Sequence, residues 1–105
     1  MQVTYRTRAL ERVCTDDRVA RKEYGNNMAH LIHRRVRQLR SAGSTEYLLR
    51  FHVGRCHALK GQREGQYAML GLPTMLDLVH PYRLVFEKLG DMIHIVRIVE
   101  IVDYH

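Results

Sequence analysis

Tyr82-Arg83-Leu84-Val85-Phe86-Glu87-Lys88-Leu89-Gly90-Asp91-Met92-Ile93-His94-Ile95-Val96-Arg97-Ile98-Val99-Glu100-Ile101-Val102-Asp103-Tyr104-His105 is the stretch whose reading decides the fold. Tyr82, Leu84 and Phe86 alternate with Arg83, Val85 and Glu87, the pattern of a half-buried strand. Gly90-Asp91 supplies a turn, and residues 93–103 read as the final strand. Both parities of that strand are largely apolar, which predicts a central position covered on both faces. Its tip carries a carboxylate, a phenol and an imidazole (Asp103, Tyr104, His105), where chains ordinarily end in frayed, solvated residues. From pattern alone, a solvated tail is the better account of these three; the functional account needs support from elsewhere.

Upstream, residues 2–6 alternate polar and apolar and predict a short opening strand. Ala9, Leu10, Val13 and Cys14 repeat at helical spacing. Thr15, Asp16 and Asp17 form a polar break and an N-cap for a second helical stretch that Gly25 would end. Asn26 or Asn27 can cap the strongest helix, residues 28–42, stopped by Gly43. On it Met28, Leu31, Ile32, Val36 and Leu39 gather on one side, and His30, His33, Arg34, Arg37 and Arg40 on the other. Leu48, Leu49 and Phe51 suggest a further turn capped by Ser44 or Thr45. Beyond Gly54 the chain reads as β-rich, with a strand at 66–70 and an apolar, proline-containing loop at 72–78. Helices followed by a β-meander predict a single α+β domain over residues 1–105: a short N-terminal strand and helices packed on a twisted antiparallel C-terminal sheet.

The chain of 105 residues is large enough for a core without metal or disulfide support. Its net charge of +6, before any of seven histidines is protonated, favours RNA, DNA or an acidic protein as partner. No apolar stretch approaches the roughly 20 residues that span a bilayer. The first residues lack the apolar core of a secretory signal, so no membrane partner and a cytoplasmic location are expected. Cys14 and Cys56 fit no metal-finger spacing and are expected as buried small hydrophobes.

His57 and Lys60, in Cys56-His57-Ala58-Leu59-Lys60-Gly61, would point to opposite sides of a straight strand; a turn before Gly61 would bring them together. An acid or base beside a phosphate-binding amine is the functional reading, an ordinary surface loop the other. Arg83 lies on the parity opposite Tyr82, Leu84 and Phe86, and would project from the open face of the sheet. A guanidinium there suits the forked contact to a phosphate, and a solvated arginine is about as good an account. His30 and His33 invite a metal reading, but arginines surround them and no carboxylate lies in helical reach, so no metal or other cofactor is expected. That stripe is a solvated or polyanion-facing surface.

His57-Ala58-Leu59-Lys60-Gly61, Gly65-Gln66-Tyr67, His80-Pro81-Tyr82-Arg83-Leu84-Val85-Phe86 and Val102-Asp103-Tyr104-His105 occur in the order found in HigB-type toxins. In this the chain resembles the RelE/ParE toxin superfamily, best over residues 54–105 and most specifically at its last four residues. The resemblance implies a small α+β fold and a ribosome-dependent endoribonuclease that cuts messenger RNA in the decoding site. It also implies a cognate helix-turn-helix, HigA-like antitoxin, with operator DNA reached only through that antitoxin. Carried over by position, the implied active-site set is His57, Lys60, Arg83, Asp103, Tyr104 and His105. The basic stripe His30, His33, Arg34, Arg37 and Arg40 would then contact ribosomal RNA. Two departures stand out: Ala58 where the family often has proline, and a longer stretch 71–76 before the arginine strand. Two rival readings are a superfamily toxin that acts by binding, as the gyrase poisons do, and a basic RNA- or partner-binding module without activity.

Overall fold

The computed structural model describes residues 1–70, 82–90 and 92–103, the backbone alone at Leu70, Met92, Ile93 and Asp103. The apolar segment 72–78, the His80-Pro81 pair, Asp91, Tyr104 and His105 lie outside the described residues.

Strand β1 (Gln2–Tyr5) leads into helix α1 (Arg8–Thr15), whose first turn is capped by the Thr7 hydroxyl accepting from the Leu10 amide at 3.1 Å. Asp16 then closes α1 and opens α2 (Asp17–Ser41), its carboxylate accepting from the Arg18 amide at 3.0 Å. Gly25, at φ +82° and ψ 169°, breaks the helical backbone where the sequence predicts an end; the helix resumes directly, so the two expected segments form one kinked element. Ser44 caps α3 (Thr45–Arg50) through the Tyr47 amide, also at 3.1 Å. No helix among the described residues is long and apolar enough to cross a membrane.

After a 3-10 turn at Val53–Arg55, the chain forms β2 (His57–Ala58), a second 3-10 turn at Gly61–Arg63, then β3 (Gln66–Leu70), β4 (Tyr82–Leu89) and β5 (Met92–Asp103). The sheet order is β1-β5-β4-β3-β2. Strands β2 to β5 form the expected antiparallel meander, and β1 joins its far edge as a parallel partner of β5. The domain is thus α+β, with its helices on one face of the sheet. Val13, Ala20, Ile32, Val36 and Leu39 meet Met69, Leu84, Phe86, Val96 and Ile98 in one buried core. Cys14 and Cys56 are free and buried.

The expectation that β5 is apolar and covered on both faces needs correcting. Phe86 pairs with Ile98 but Val85 pairs with Glu100, so Val99 is the extra residue of a β-bulge. A bulge shifts the side-chain parity by one. Val96, Ile98 and Ile101 consequently all pack toward the helices, while Arg97, Glu100 and Val102 lie on the other face. Apolar residues of both parities thus reach one core, and the opposite face of β5 carries Arg97 and Glu100 beside Val102.

Candidate active site on the open face of the sheet

Cross-strand neighbours share a face. Ala58 pairs with Tyr67, whose ring stacks on Phe86 at 5.6 Å in the helix-side core. His57, one residue earlier, therefore belongs to the open face, in a row running His57, Ala68, Val85, Glu100 across β2, β3, β4 and β5. Arg83 lies two residues from Val85 on the same face, opposite Val102. Two strand spacings and two residues of offset put the Cα atoms of His57 and Arg83 about 12 Å apart. Tyr82, by contrast, packs edge-on against Tyr24 of α2, with ring centroids 5.8 Å apart.

The polar cover of this face is organised in pairs. The Arg63 guanidinium donates to Gln66 Oε1 at 3.0 Å and forms an ion pair with Glu100, bridging β3 and β5 over Val85. Arg97 Nε donates to Glu87 Oε1 at 2.8 Å. Beneath the bridge, Ala68 and Val85 are fully buried and small, so the row between His57 and Glu100 has a low apolar floor.

His57 is held by its own turn. Its Nδ1 lies 3.0 Å from the carbonyl oxygen of Arg55. A carbonyl only accepts, so Nδ1 carries the hydrogen and Nε2 of the neutral ring is left as a proton acceptor. The Arg55 carbonyl is aimed by a left-handed backbone: His52, Gly54 and Arg55 have φ of +50°, +59° and +56°. Two of these are not glycine, a strained arrangement of the sort that persists where neighbouring structure enforces it. The enforcement comes from α2 and β3, whose Arg35 and Met69 pack directly under Gly54.

Sequence reading missed Arg35. It is only 4% exposed, donates to Gln38 Oε1 at 2.8 Å, and has its pKa lowered by burial and by the neighbouring Arg34. With Met28, Leu31, Ile32, Met69, Tyr82 and Leu84 it lines a small cleft at the sheet end that carries Arg83. The signal was present in the spacing: 28, 32, 35 and 39 fall on one helical stripe, so Arg35 interrupts the apolar side of α2. Arg63 and Glu100 were missed as well, and no sequence spacing links them.

Lys60 is exposed and extended (φ −120°, ψ 171°), and the Leu59 amide still pairs with the Gln66 carbonyl at 2.9 Å. The turn therefore begins at Gly61, after Lys60, and strand alternation leaves Lys60 on the parity opposite His57. Lys60 lies just past the edge strand β2. The backbone of Asp103 pairs with that of Tyr82 at the end of β5; its side chain, Tyr104 and His105 are outside the described residues.

The basic stripe of α2 divides. His30, Arg34 and Arg37 are exposed. His33 turns inward, with Nε2 donating to the Val13 carbonyl at 3.1 Å and Nδ1 3.7 Å from Asp17 Oδ1, so it ties α2 to α1. Arg40 remains exposed and donates to the Tyr5 hydroxyl at 3.3 Å. No family model matches the chain, and neither does any curated protein or solved structure.

Proposed function

We propose that the chain is a HigB-type toxin of the RelE/ParE superfamily, a ribosome-dependent messenger RNA endoribonuclease neutralised by a cognate helix-turn-helix antitoxin. The observation that carries this reading is His57: its Nδ1 is committed to the Arg55 carbonyl, and strand register puts it on the same sheet face as Arg83. An imidazole so oriented is prepared to take a proton at Nε2. The reaction needs no nucleophilic side chain. A base removes the proton of the substrate 2′-hydroxyl, the oxygen attacks the adjacent phosphorus, and the 5′-oxygen leaves with a proton from an acid.

In this scheme His57 and His105 share the proton transfers, with Asp103 orienting or assisting. Arg83 stabilises negative charge on the phosphorane-like transition state, and Lys60, on the parity opposite His57, attracts the flanking phosphates from the sheet edge. Tyr104 stacks on a base or binds the backbone. The roles of Lys60, Asp103, Tyr104 and His105 rest on the sequence resemblance. The exposed His30, Arg34 and Arg37 side chains face ribosomal RNA, and the protein acts in the cytoplasm, where messages are translated.

The test is to incubate wild-type, His57→Gln and His105→Gln proteins with programmed ribosomes and map the new RNA ends. Cleavage inside the frame by wild type, lost in both variants with the fold intact, is the expected result. Undiminished cutting by either variant removes that histidine from the mechanism. Growth arrest with DNA damage and no new message ends would replace the nuclease with a gyrase-directed binder.

A further inference from the structure

We infer that Tyr47, Arg50 and Phe51 form a stacking platform for unpaired bases of RNA. The inference takes RNA as ligand from the function proposed above and adds a site that reading does not contain. Tyr47 and Phe51 are the exposed large hydrophobic side chains among the described residues, at 48% and 58%. They stand one helical turn apart at α3, with ring centroids 4.8 Å apart, and the Arg50 guanidinium lies 5.6 Å from the Phe51 centroid. Scattered exposed apolar residues need no explanation, but two touching rings, tilted by 44° to one another, with a guanidinium over one of them form a contiguous cluster of flat groups.

Charge selects the occupant. Between Gly43 and Arg63 the sole acid is Glu46, against Arg50, Arg55, Lys60, Arg63 and two histidines. Glu46 itself is ion-paired with Lys88, whose amine also lies 5.7 Å from the Tyr67 ring. Arg63 is already paired with Glu100 and Glu64 follows it, so the cation placed at the platform itself is Arg50, with Arg55 and Lys60 in the same basic segment; that suits a polyanion whose bases present flat faces and disfavours a basic peptide. Aromatic rings beside arginine are how proteins hold single strands without reading their sequence. Phe51 and His57 are close in the chain, which caps their Cα separation at about 22 Å. Because α3 packs on the helix side of the sheet and His57 belongs to its open face, a strand stacked on the platform reaches the proposed cleavage site by rounding the β2 edge.

The experiment uses the full chain and a labelled, short single-stranded oligoadenylate, read by fluorescence anisotropy at low salt without ribosomes. Phe51→Leu keeps an apolar side chain at an exposed position and should weaken binding by about 10-fold or more. Phe51→Trp should bind at least as well as wild type, and because the chain has no other tryptophan its emission should be quenched by the oligonucleotide. Both results together support the platform. Absence of binding by wild type, unchanged affinity of Phe51→Leu, or an indole emission from Phe51→Trp that is indifferent to RNA overturns it; in each case the patch is a protein-docking or helix-stabilising pair. Binding is scored without cleavage, so the two proposals fail separately. A protein that binds through Phe51 but cuts no message sinks the nuclease alone, and a nuclease whose Phe51→Leu form binds as wild type sinks the platform alone.

Discussion

A Cβ added at Gly54 would lie 2.8 Å from the terminal methyl of Met69 and 3.0 Å from Arg35 Cδ, so the turn before β2 is pressed against the helix–sheet seam. Its φ of +59° adds a second reason for glycine. Gly54→Ala should therefore carry both a left-handed penalty and a clash, together about 2–4 kcal/mol. For a domain of this size that lowers the melting temperature by roughly 10 °C or more. A thermal melt indistinguishable from wild type would show that the turn has room to yield.

The same turn offers a way to separate the position of His57 from its chemistry. Asparagine at this position retains a short amide able to donate to the Arg55 carbonyl, in place of Nδ1, but carries nothing at Nε2. His57→Asn is expected to melt close to wild type and to lose about 10²–10⁴-fold in ribosome-dependent cleavage. His57→Ala should lose the same activity and some stability as well, since the Arg55 carbonyl is left to solvent. Full activity of the asparagine form would assign the proton transfer elsewhere.

The open face makes an electrostatic prediction. Glu100 holds Arg63 over Val85, and both side chains are about one-third exposed, so the pair contributes no more than about 1 kcal/mol to stability. Glu100→Gln removes a negative charge from the row that contains His57. Affinity for RNA should rise, and its logarithm should fall more steeply with salt, while the melting temperature changes little. Titrations at several salt concentrations check this; a weakened or salt-indifferent complex would place RNA away from this face.

These particulars show what the sequence could and could not disclose. The strands at 82–89 and 92–103, the turn between them and the apolar stripe of α2 were legible because each is a local periodicity. The bulge at Val99 was not: inserting one unpaired residue flips parity, and a strand with a flipped half looks in sequence like a strand buried on both sides. Arg35 was hidden by the habit of assigning every arginine to the solvated face, although its spacing argued otherwise. His33 was grouped with the exposed stripe because the carbonyl it reaches, Val13, belongs to another helix. His57 and Arg83 could be nominated from sequence, but their common face depends on successive strand registers, which no spacing encodes. The Arg63–Glu100 bridge spans 37 residues and is invisible for the same reason.

His33 supplies a stability test for that helix pairing. Replacing it with leucine keeps the ring's bulk in part but leaves the Val13 carbonyl without its donor, at the end of α1 where carbonyls lack helical partners. The expected cost is about 1–2 kcal/mol, measured by urea unfolding, with RNA binding unchanged. A loss of RNA affinity without loss of stability would return His33 to the binding stripe.

The two thiols make the fold less stable in alkali, as do the Tyr5 and Tyr24 phenols, which burial also pushes up. Burial pushes Cys14 up to about 12, against a smaller opposing pull from Arg40, and burial alone pushes Cys56 up to about 12, from an ordinary 9.0 in each case. Well below pH 9 folded and unfolded chains both hold these protons, and the thiols have no effect on the pH dependence of stability. Between pH 9 and about 12 the unfolded chain releases them while the folded chain retains them. Deprotonation then draws the equilibrium toward the unfolded chain, so stability falls as pH rises. Denaturant unfolding of wild type and of the Cys14→Ala, Cys56→Ala double variant across that window should show a steeper decline for wild type, whatever constant offset the missing sulfurs introduce. Both thiols should also resist alkylation in native protein near neutral pH and react on unfolding. Parallel stability profiles, or rapid native alkylation, would mean that the two side chains are open to water.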